Sequence, residues 1–385
     1  MKLLIRFLSM AMALGLFGCG TGGSDTATGN MPVKSMVAEG SGSGVAAGGT
    51  GVATFPATTC SVAQLEAELG ATLASVNTDT DFSFVVERSD GRRYSYNRGA
   101  STPDTRYESA STSKLVTAVV ILRLVEQGYL KLTDRPQDHI AAWPINRRDP
   151  LYHMTLAQLL SFTSGLTKAP LCLNLPRANF AACVNSIASS NANNGIMPGT
   201  QFYYASTHLQ VAGLMALRAR GLATWEELFN EFRTQTGLFP GGAYDLPSLS
   251  NPRLAGGMHW TGTEYLAFLK ALKDGKLLNA RSMSEFLKDR TADGVTIVAS
   301  PVMADIGEDW HYGFGFWHEC QSPTFNCSPG TRISSPGAYG AYPFWDLSKD
   351  YFGIVARQGA LKTGPEGIAV ERSVRPQVEA WAACQ

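Results

Sequence analysis

The pattern of apolar and polar residues predicts strands at both ends of the chain and helices between them. Near the beginning, a helical pattern over 61–74 precedes two strand-like runs, Phe82–Arg88 and Arg93–Tyr96. Ser89-Asp90-Gly91 lies between these two runs and predicts a hairpin. A closing helix is predicted over 376–383. Strand-like runs also precede it, at Tyr312–His318, Tyr339–Trp345 and Tyr351–Arg357.

The middle of the chain has apolar residues at helical spacing. The first of these helices is predicted over Leu115–Gln127 and ends near Gly128, a residue type that often follows a helix. Further helices are predicted over 156–161, 208–219, 224–234, 263–274 and 282–288. Strands at both ends with helices between them predict an α/β (α+β) domain, in which one sheet is built from both terminal segments. We place the sheet region at 59–112 and 308–385, and an all-helical insertion at 113–307.

The first residues predict export from a bacterial cell. Two basic residues precede the apolar run Phe7–Phe17, which is too short to span a bilayer. Leu16-Phe17-Gly18-Cys19 resembles a lipobox, which predicts a lipoprotein signal peptide over 1–19 and lipidation of Cys19. Phe17 is bulkier than the usual residue there. The alternative is therefore ordinary signal-peptide cleavage, which would give a secreted periplasmic protein. The composition of 20–58 predicts a flexible tether, so a single catalytic domain is expected over 59–385.

Charge and cysteine content narrow the class of protein further. Lys and Arg number 32, as do Asp and Glu, and this balance argues against a nucleic-acid partner. Apart from Cys19, six cysteines remain, an even number that predicts disulfides in an oxidising compartment, with free buried thiols as the alternative. Proximity favours Cys172–Cys183 and Cys320–Cys327, which leaves Cys60–Cys384. No Cys-x-x-Cys or His-x-x-x-His spacing suggests a metal, and no cofactor is expected. Membrane contact is expected only through the lipid, and the sequence leaves the oligomeric state open.

Ser111 and Lys114 form the most informative pair in the chain. They are three residues apart at the start of a predicted helix, so their side chains share one face. A serine needs a nearby base to become nucleophilic, and a lysine can act as that base when burial keeps it partly neutral. No other Ser-x-x-Lys spacing occurs in the sequence. The structural alternative is a helix cap followed by a solvated lysine.

Three further motifs strengthen the catalytic interpretation. Pro198-Gly199 is followed by Tyr204-Ala205-Ser206, which places a tyrosine after a bend. Thr163-Ser164-Gly165-Leu166 ends a predicted helix, and Ala255-Gly256-Gly257-Met258 allows close backbone approach before another. Together with Ser111-Thr112-Ser113-Lys114, and in their order along the chain, these motifs resemble the serine hydrolase superfamily. This superfamily includes class C β-lactamases, D-alanyl-D-alanine carboxypeptidases and β-lactamase-like carboxylesterases. The resemblance covers roughly 60–385 and implies an antiparallel sheet flanked by helices.

This resemblance assigns roles to individual residues. It implies that Ser111 is the nucleophile and that Lys114 and Tyr204 act together as general base and acid. The backbone N–H groups of Ser111 and Ser335 would hold the oxyanion. Ser206 stands where the family has asparagine, a departure that replaces an amide by a hydroxyl.

The third family motif can be placed at two positions. Lys362-Thr363-Gly364 matches the β-lactamase signature literally, but only the last helix follows it, whereas the family has two more strands there. Arg332–Gly340 is the better match and is similar to the esterase and 6-aminohexanoate-oligomer hydrolase branches. Arg332 or Ile333 then stands where β-lactamases carry a lysine for the substrate carboxylate. Arg332 would bind a carboxylate or be held in a salt bridge.

The expected function is hydrolysis of a small ester or amide through an acyl-enzyme. The alternatives are a D-alanyl-D-alanine carboxypeptidase or weak β-lactamase, and a non-catalytic module that binds acyl-peptides. A Ser-His-Asp triad through His208 or His259 is disfavoured, because the chain has no Gly-x-Ser-x-Gly elbow. The residues expected to contact substrate are Ser206, His259, Arg332, Ser334 and Tyr339.

Overall fold

The computed structural model describes residues 60–292 and 294–385. The predicted signal peptide, its lipidation site Cys19 and the predicted tether over 20–58 lie outside these residues. The described strands are β1 (Phe82–Arg88), β2 (Arg93–Arg98), β3 (Arg106–Glu108), β4 (Gln201–Tyr203), β5 (Ala243–Tyr244), β6 (Met258–Thr261), β7 (Thr296–Ala299), β8 (His311–Tyr312), β9 (Trp317–His318), β10 (Arg332–Ser334), β11 (Tyr342–Asp346) and β12 (Tyr351–Arg357). The described helices are α1 (Val62–Ser75), α2 (Ser113–Glu126), α3 (Pro136–His139), α4 (Leu156–Leu160), α5 (Phe180–Asn191), α6 (Thr207–Arg220), α7 (Trp225–Thr236), α8 (Gly262–Lys273), α9 (Ala280–Phe286), α10 (Pro301–Ile306) and α11 (Gly364–Ala383).

The main sheet has seven strands and is antiparallel throughout, in the order β2-β1-β12-β11-β10-β9-β8. Its centre joins segments from the two ends of the domain, since Phe82 of β1 pairs with Arg357 of β12. Every residue of β12 is buried, and α8 and α11 both pack against this strand. An antiparallel sheet built from both termini and flanked by helices confirms the predicted fold class.

Three elements near the end differ from their predicted bounds. The strand predicted over Tyr339–Trp345 is β11, Tyr342–Asp346. The run predicted as one strand from Tyr312 to His318 forms the two short strands β8 and β9. The closing helix begins at Gly364, twelve residues before the predicted start at Pro376. Proline is common at the first position of a helix and disfavoured inside one, which is why Pro376 suggested a start. Buried Ile368 and Val374 continue the apolar face on its N-terminal side, so tertiary packing extends the helix through the proline.

The inserted region is mainly helical but also contains short strands. Helix α2 is buried on almost all sides, and α6 is buried from Thr207 to Leu217. Strand β3 from the N-terminal segment forms a small antiparallel sheet with β6 and β5, and β4 pairs in parallel with β7. Strands of two to four residues are too short to show a period in the sequence. None of the helices in the described residues combines the length and the apolar character needed to cross a bilayer.

Three disulfides join the cysteines in the arrangement that sequence proximity favoured. They link Cys172 with Cys183, Cys320 with Cys327, and Cys60 with Cys384. The last of these closes a loop over a sequence separation of 324 and ties the start of α1 to the end of α11. Helices α1 and α11 also pack against each other, so the covalent link reinforces a contact between the two ends of the domain.

Candidate active site

Ser111 lies in a single 3-10 turn, Ala110–Thr112, that leads directly into α2. The preceding residue, Ala110, has φ of +44°, which lies in the left-handed region that L-residues with a side chain rarely adopt. The distance from the Nζ atom of Lys114 to the Oγ atom of Ser111 is 2.7 Å. The predicted pair is therefore in direct hydrogen-bond contact, and the alternative of a solvated lysine does not hold.

Lys114 is buried, and its amine is partly deprotonated near pH 7. Its side chain is only 3% exposed, and its Nζ atom also donates to the carbonyl of Ala255 at 2.7 Å. Burial, with a smaller contribution from the nearby Arg253 guanidinium, lowers the pKa of Lys114 to about 7. A neutral amine can keep its hydrogen bond to Ala255 and present its lone pair to Ser111.

The segment that carries Ala255 packs closely against the chain near Leu246 because it contains a glycine at position 257. A Cβ atom on Gly257 would lie 2.1 Å from the carbonyl oxygen of Leu246, a distance that no side chain can occupy. The amide of Gly257 also donates to the carbonyl of Arg253 at 2.7 Å, which closes a tight turn. The close backbone approach expected from Gly256-Gly257 is present.

Tyr204 completes the group of three side chains. Its ring centroid is 4.6 Å from the Nζ atom of Lys114, and its ring stacks on Trp317 at 5.3 Å. Burial raises the pKa of the Tyr204 phenol well above its ordinary value, and hydrogen bonds with Ser111 and Trp317 lower it only in part. The phenol of Tyr204 is therefore neutral near pH 7, whereas Lys114 titrates there.

The turn after α4 positions Tyr204. The amide of Tyr203 donates to the carbonyl of Phe162, and the amide of Gly199 donates to the carbonyl of Thr163. Ser164 contacts the buried ring of His208 at 2.8 Å, and the other ring nitrogen of His208 contacts the carbonyl of Tyr203. Burial lowers the pKa of His208 to about 4, so this histidine is neutral near pH 7. Its role is structural, because its ring connects Ser164 to the backbone of Tyr203.

The loop after β10 brings backbone amides to Ser111. A Cβ atom on Gly337 would lie 2.7 Å from the carbonyl oxygen of Ser109, so only glycine permits this approach. The next residue, Ala338, lines the cavity together with Ser111. Its amide donates no hydrogen bond to any group in the described part of the chain.

Ser335 does not match the expectation for an oxyanion donor. Its backbone amide donates to the carbonyl of Pro343 at 3.2 Å and is therefore already used by the sheet. Its side chain lies 3.3 Å from the carbonyl of Ser111 and supports the turn instead. The register of β10 and β11 thus moves the available amide from Ser335 to Ala338.

Arg332 and Ser334 also need correction as substrate contacts. Arg332 is 7% exposed, and its guanidinium forms ion pairs with Glu319, Asp346 and Glu371 at 2.7 to 3.3 Å. Ser334 is 2% exposed and lies two residues further on the same strand, hence on the same face of the sheet. Neither residue lines a cavity beside Ser111. The alternative prediction, that Arg332 is held in a salt bridge, is therefore the correct one, and this salt bridge is buried.

The remaining predicted contacts divide into two groups. Tyr339 and Ser206 line the cavity together with Ser111. His259 does not, and its ring forms a 2.5 Å hydrogen bond with Asp245, which also pairs with Arg106. His259 and Asp245 are therefore in contact as in a Ser-His-Asp triad, but the side chain that contacts Ser111 is Lys114.

The cavity around Ser111 has two lobes that share Ser111, Tyr204 and Ala338. The apolar lobe, with a volume of about 350 Å³, includes Pro301, Val302, Ile306, Trp317 and Ile368. The polar lobe, with a volume of about 210 Å³, includes Lys114, Ser206, Arg253, Ala255 and Tyr339. Lys362, in the loop before α11, adds an exposed side chain to the wall of the apolar lobe.

Several residues of this cavity had no signal in the sequence. Val302, Trp317 and Ile368 come from distant segments, and only the fold brings them together. Arg253 lies two residues before Ala255-Gly256-Gly257, so its place beside a recognised motif was a usable signal. Within the described residues, no group of three or more histidine, cysteine, aspartate or glutamate side chains could hold a metal ion.

Comparison with known proteins identifies the family. A family model described as Beta-lactamase matches residues 83–365. Protein flp of Staphylococcus aureus (strain MW2) is 27% identical over 117 residues, which are 30% of this chain and 23% of that protein. The chain thus spans about a quarter of the length of this curated relative.

Solved structures agree with the fold. A structure from Bacteroides dorei DSM 17855 that is described as a beta-lactamase has a TM-score of 0.65 at 23% identity and covers 82% of this chain and 98% of its own. EstCE1, described as a hydrolase with promiscuous acyltransferase activity, has a TM-score of 0.64 at 17% identity and covers 81% and 98%. At these identities the likeness concerns the fold alone.

Proposed function

This chain belongs to the beta-lactamase family, and we propose that it is a serine hydrolase that cleaves a small ester or amide through an acyl-enzyme on Ser111. The observation that carries the proposal is the 2.7 Å contact between Ser111 and a lysine whose pKa is lowered to about 7. A base with a pKa near the working pH is available in its neutral form and still accepts a proton effectively.

Acylation begins when the Oγ atom of Ser111 attacks the carbonyl carbon. Lys114 accepts the hydroxyl proton as the new C–O bond forms. The bond to the leaving group then breaks, and the proton passes from Lys114 to the leaving oxygen or nitrogen through the neutral phenol of Tyr204. Because Tyr204 is a donor as well as an acceptor, it can relay this proton without becoming charged.

The negative charge on the attacked carbonyl oxygen is held by two backbone amides. One belongs to Ser111, in the first turn of its helix, where N–H groups have no acceptor within the helix. The other belongs to Ala338, which faces the same cavity. Loss of one such donor typically raises the barrier by about 3 kcal/mol.

Deacylation reverses these roles. Lys114 takes a proton from water, the hydroxide attacks the acyl carbon, and the Ser111 oxygen leaves and recovers its proton. Because the same amine must be neutral in both steps, kcat/KM should rise with pH through about 7, the pKa of Lys114.

Two features favour an esterase over a β-lactamase. First, Arg332 is buried in ion pairs, so strand β10 does not offer the free cation that β-lactamases carry there. Second, the apolar lobe suits an uncharged hydrocarbon group on one side of the scissile bond. A carboxypeptidase or weak β-lactamase remains the second candidate, because both share the same nucleophile.

A fluorophosphonate probe and a substrate panel test this proposal. The wild type should be labelled at Ser111 and should hydrolyse short p-nitrophenyl esters faster than nitrocefin or a D-Ala-D-Ala peptide. Ser111→Ala is the matched control and should show neither labelling nor turnover. An unlabelled, inactive wild type would favour a non-catalytic binding module, and a preference for nitrocefin or the peptide would favour the second candidate.

A further inference from the structure

The polar lobe contains an arginine that has no carboxylate partner in the part of the chain that the structure describes. Arg253 lines this lobe together with Ser111 and Lys114. Its Nη1 atom donates to the side-chain oxygen of Asn174 at 3.0 Å, and its Nε atom is buried without an acceptor. The neutral amide of Asn174 thus holds the guanidinium in place, but most of its N–H donors have no acceptor and its charge has no carboxylate partner among the described residues.

This situation differs from that of Arg332 and Arg357, which are buried, and of Arg375, which is half-buried. Arg332 forms ion pairs with three carboxylates, and both Arg375 and Arg357 are paired with glutamates. A partly buried guanidinium is costly unless an anion compensates it. At Arg253 the open side is a cavity that contains the proposed nucleophile, so the compensating anion can come from a ligand.

We propose that Arg253 binds a carboxylate of the substrate in the polar lobe, while the apolar lobe holds the hydrocarbon part. This inference rests on the proposed function and names its substrate class: esters or amides that carry a carboxylate on one side of the scissile bond. The fork of guanidinium donors matches the two oxygens of a carboxylate. Ser206 and Tyr339 line the same lobe and can add hydroxyl donors.

The charges around Arg253 fit a monoanion. Lys114 is the other cationic residue that lines this lobe, and its pKa of about 7 leaves it largely neutral when it acts as a base. The apolar lobe, in contrast, contains both Asp305 and Lys362, whose opposite charges give it no clear preference. A single guanidinium therefore distinguishes the two lobes and orients the substrate between them.

The test compares matched esters that differ only in this charge. One pair carries the group on the acyl side: the p-nitrophenyl monoester of glutaric acid and the corresponding carboxamide. The other pair carries it on the leaving side: 3-butyryloxybenzoic acid and 3-butyryloxybenzamide. We expect wild type to prefer the acid over the amide in at least one pair, by about 10- to 100-fold in kcat/KM.

Variants assign this preference to Arg253. Arg253→Gln should remove it, and Arg253→Lys should restore part of it, because a point charge lacks the fork. Arg281→Gln, on the exposed surface of α9, is the control and should leave the ratio unchanged. The ratio of acid to amide is the decisive quantity, because any change in the pKa of Lys114 affects both members of a pair.

The outcomes separate the two proposals. Equal rates on acid and amide in both pairs, or an unchanged ratio in Arg253→Gln, would overturn the anion site while leaving the hydrolase intact. If no ester is hydrolysed, calorimetry with glutaramic acid and glutaramide on Ser111→Ala decides the site directly. Binding of the acid alone, lost in the double variant with Arg253→Gln, would keep the anion site although the hydrolase had failed. No binding of either would reject both proposals.

Discussion

Replacement of Lys114 by methionine should abolish turnover and stabilise the fold most strongly at low pH. The folded lysine has a pKa lowered to about 7 from 10.5, mainly by burial. Between these two values the unfolded chain binds more protons than the folded chain, so the stability of wild type rises with pH in this window. Methionine keeps the length of the side chain and removes its titration.

The size of the effect follows from these two pKa values. One pKa unit corresponds to about 1.4 kcal/mol, so the lysine destabilises the fold by about 5 kcal/mol near pH 6 and by about 2 kcal/mol near pH 9. The variant also loses the hydrogen bond to Ala255 and leaves that carbonyl unpaired, which costs about 1–3 kcal/mol at any pH. The advantage of the variant over wild type should therefore shrink by about 3 kcal/mol between about pH 6 and pH 9.

Urea unfolding followed by tryptophan fluorescence measures this difference, with the disulfides kept oxidised. Ester hydrolysis by the same preparations tests for loss of turnover. Lys276→Met is the control, because the Lys276 side chain is 69% exposed and its substitution should give a free energy difference that does not change with pH. A pH-independent difference for Lys114→Met would show that Lys114 has an ordinary pKa, and retained turnover would show that it is not the base.

Three further predictions concern the relay, the cross-link and the apolar lobe. Tyr204→Phe should keep its packing on Trp317 but lower kcat by about 10²- to 10⁴-fold, as measured by ester hydrolysis and melting temperature together; a normal kcat would remove the phenol from the mechanism. Serine at both Cys60 and Cys384 should lower the free energy of unfolding by about 6 kcal/mol in the chain-entropy model, and an unchanged urea midpoint would contradict this. Ile306→Asn should raise KM for butyryl more than for acetyl esters, whereas an equal change for both would exclude this lobe as a binding site for hydrocarbon chains.

Local patterns accounted for the two longest strands and for the first two members of the proposed site. Strands β1 and β12 have the predicted bounds because their apolar runs are long enough to show their character. Ser111 and Lys114 meet because residues three apart in a helical turn share a face, whatever the rest of the fold does.

Long-range packing decided the properties that depend on surroundings. The oxyanion amide that we propose is that of Ala338 instead of Ser335, because the Ser335 amide already donates to the carbonyl of Pro343 beside β11. Arg332, which was expected at the substrate, meets three carboxylates from other segments. Arg253, for which no role was predicted, lines the cavity instead. The sequence specifies the side chains but not which groups lie next to them in the fold. Those neighbours determine whether an N–H group or a charged side chain is available to a substrate.

The sequence alone determined that this protein has a serine with a lysine one turn away, a tyrosine after a bend, and a family fold built from both ends. These features are local in the chain or follow from the order of its motifs. Only the tertiary structure decided the chemistry, because the pKa of Lys114 depends on desolvation by residues from distant segments. The same packing shapes the two lobes beside Ser111, which no stretch of sequence contains by itself.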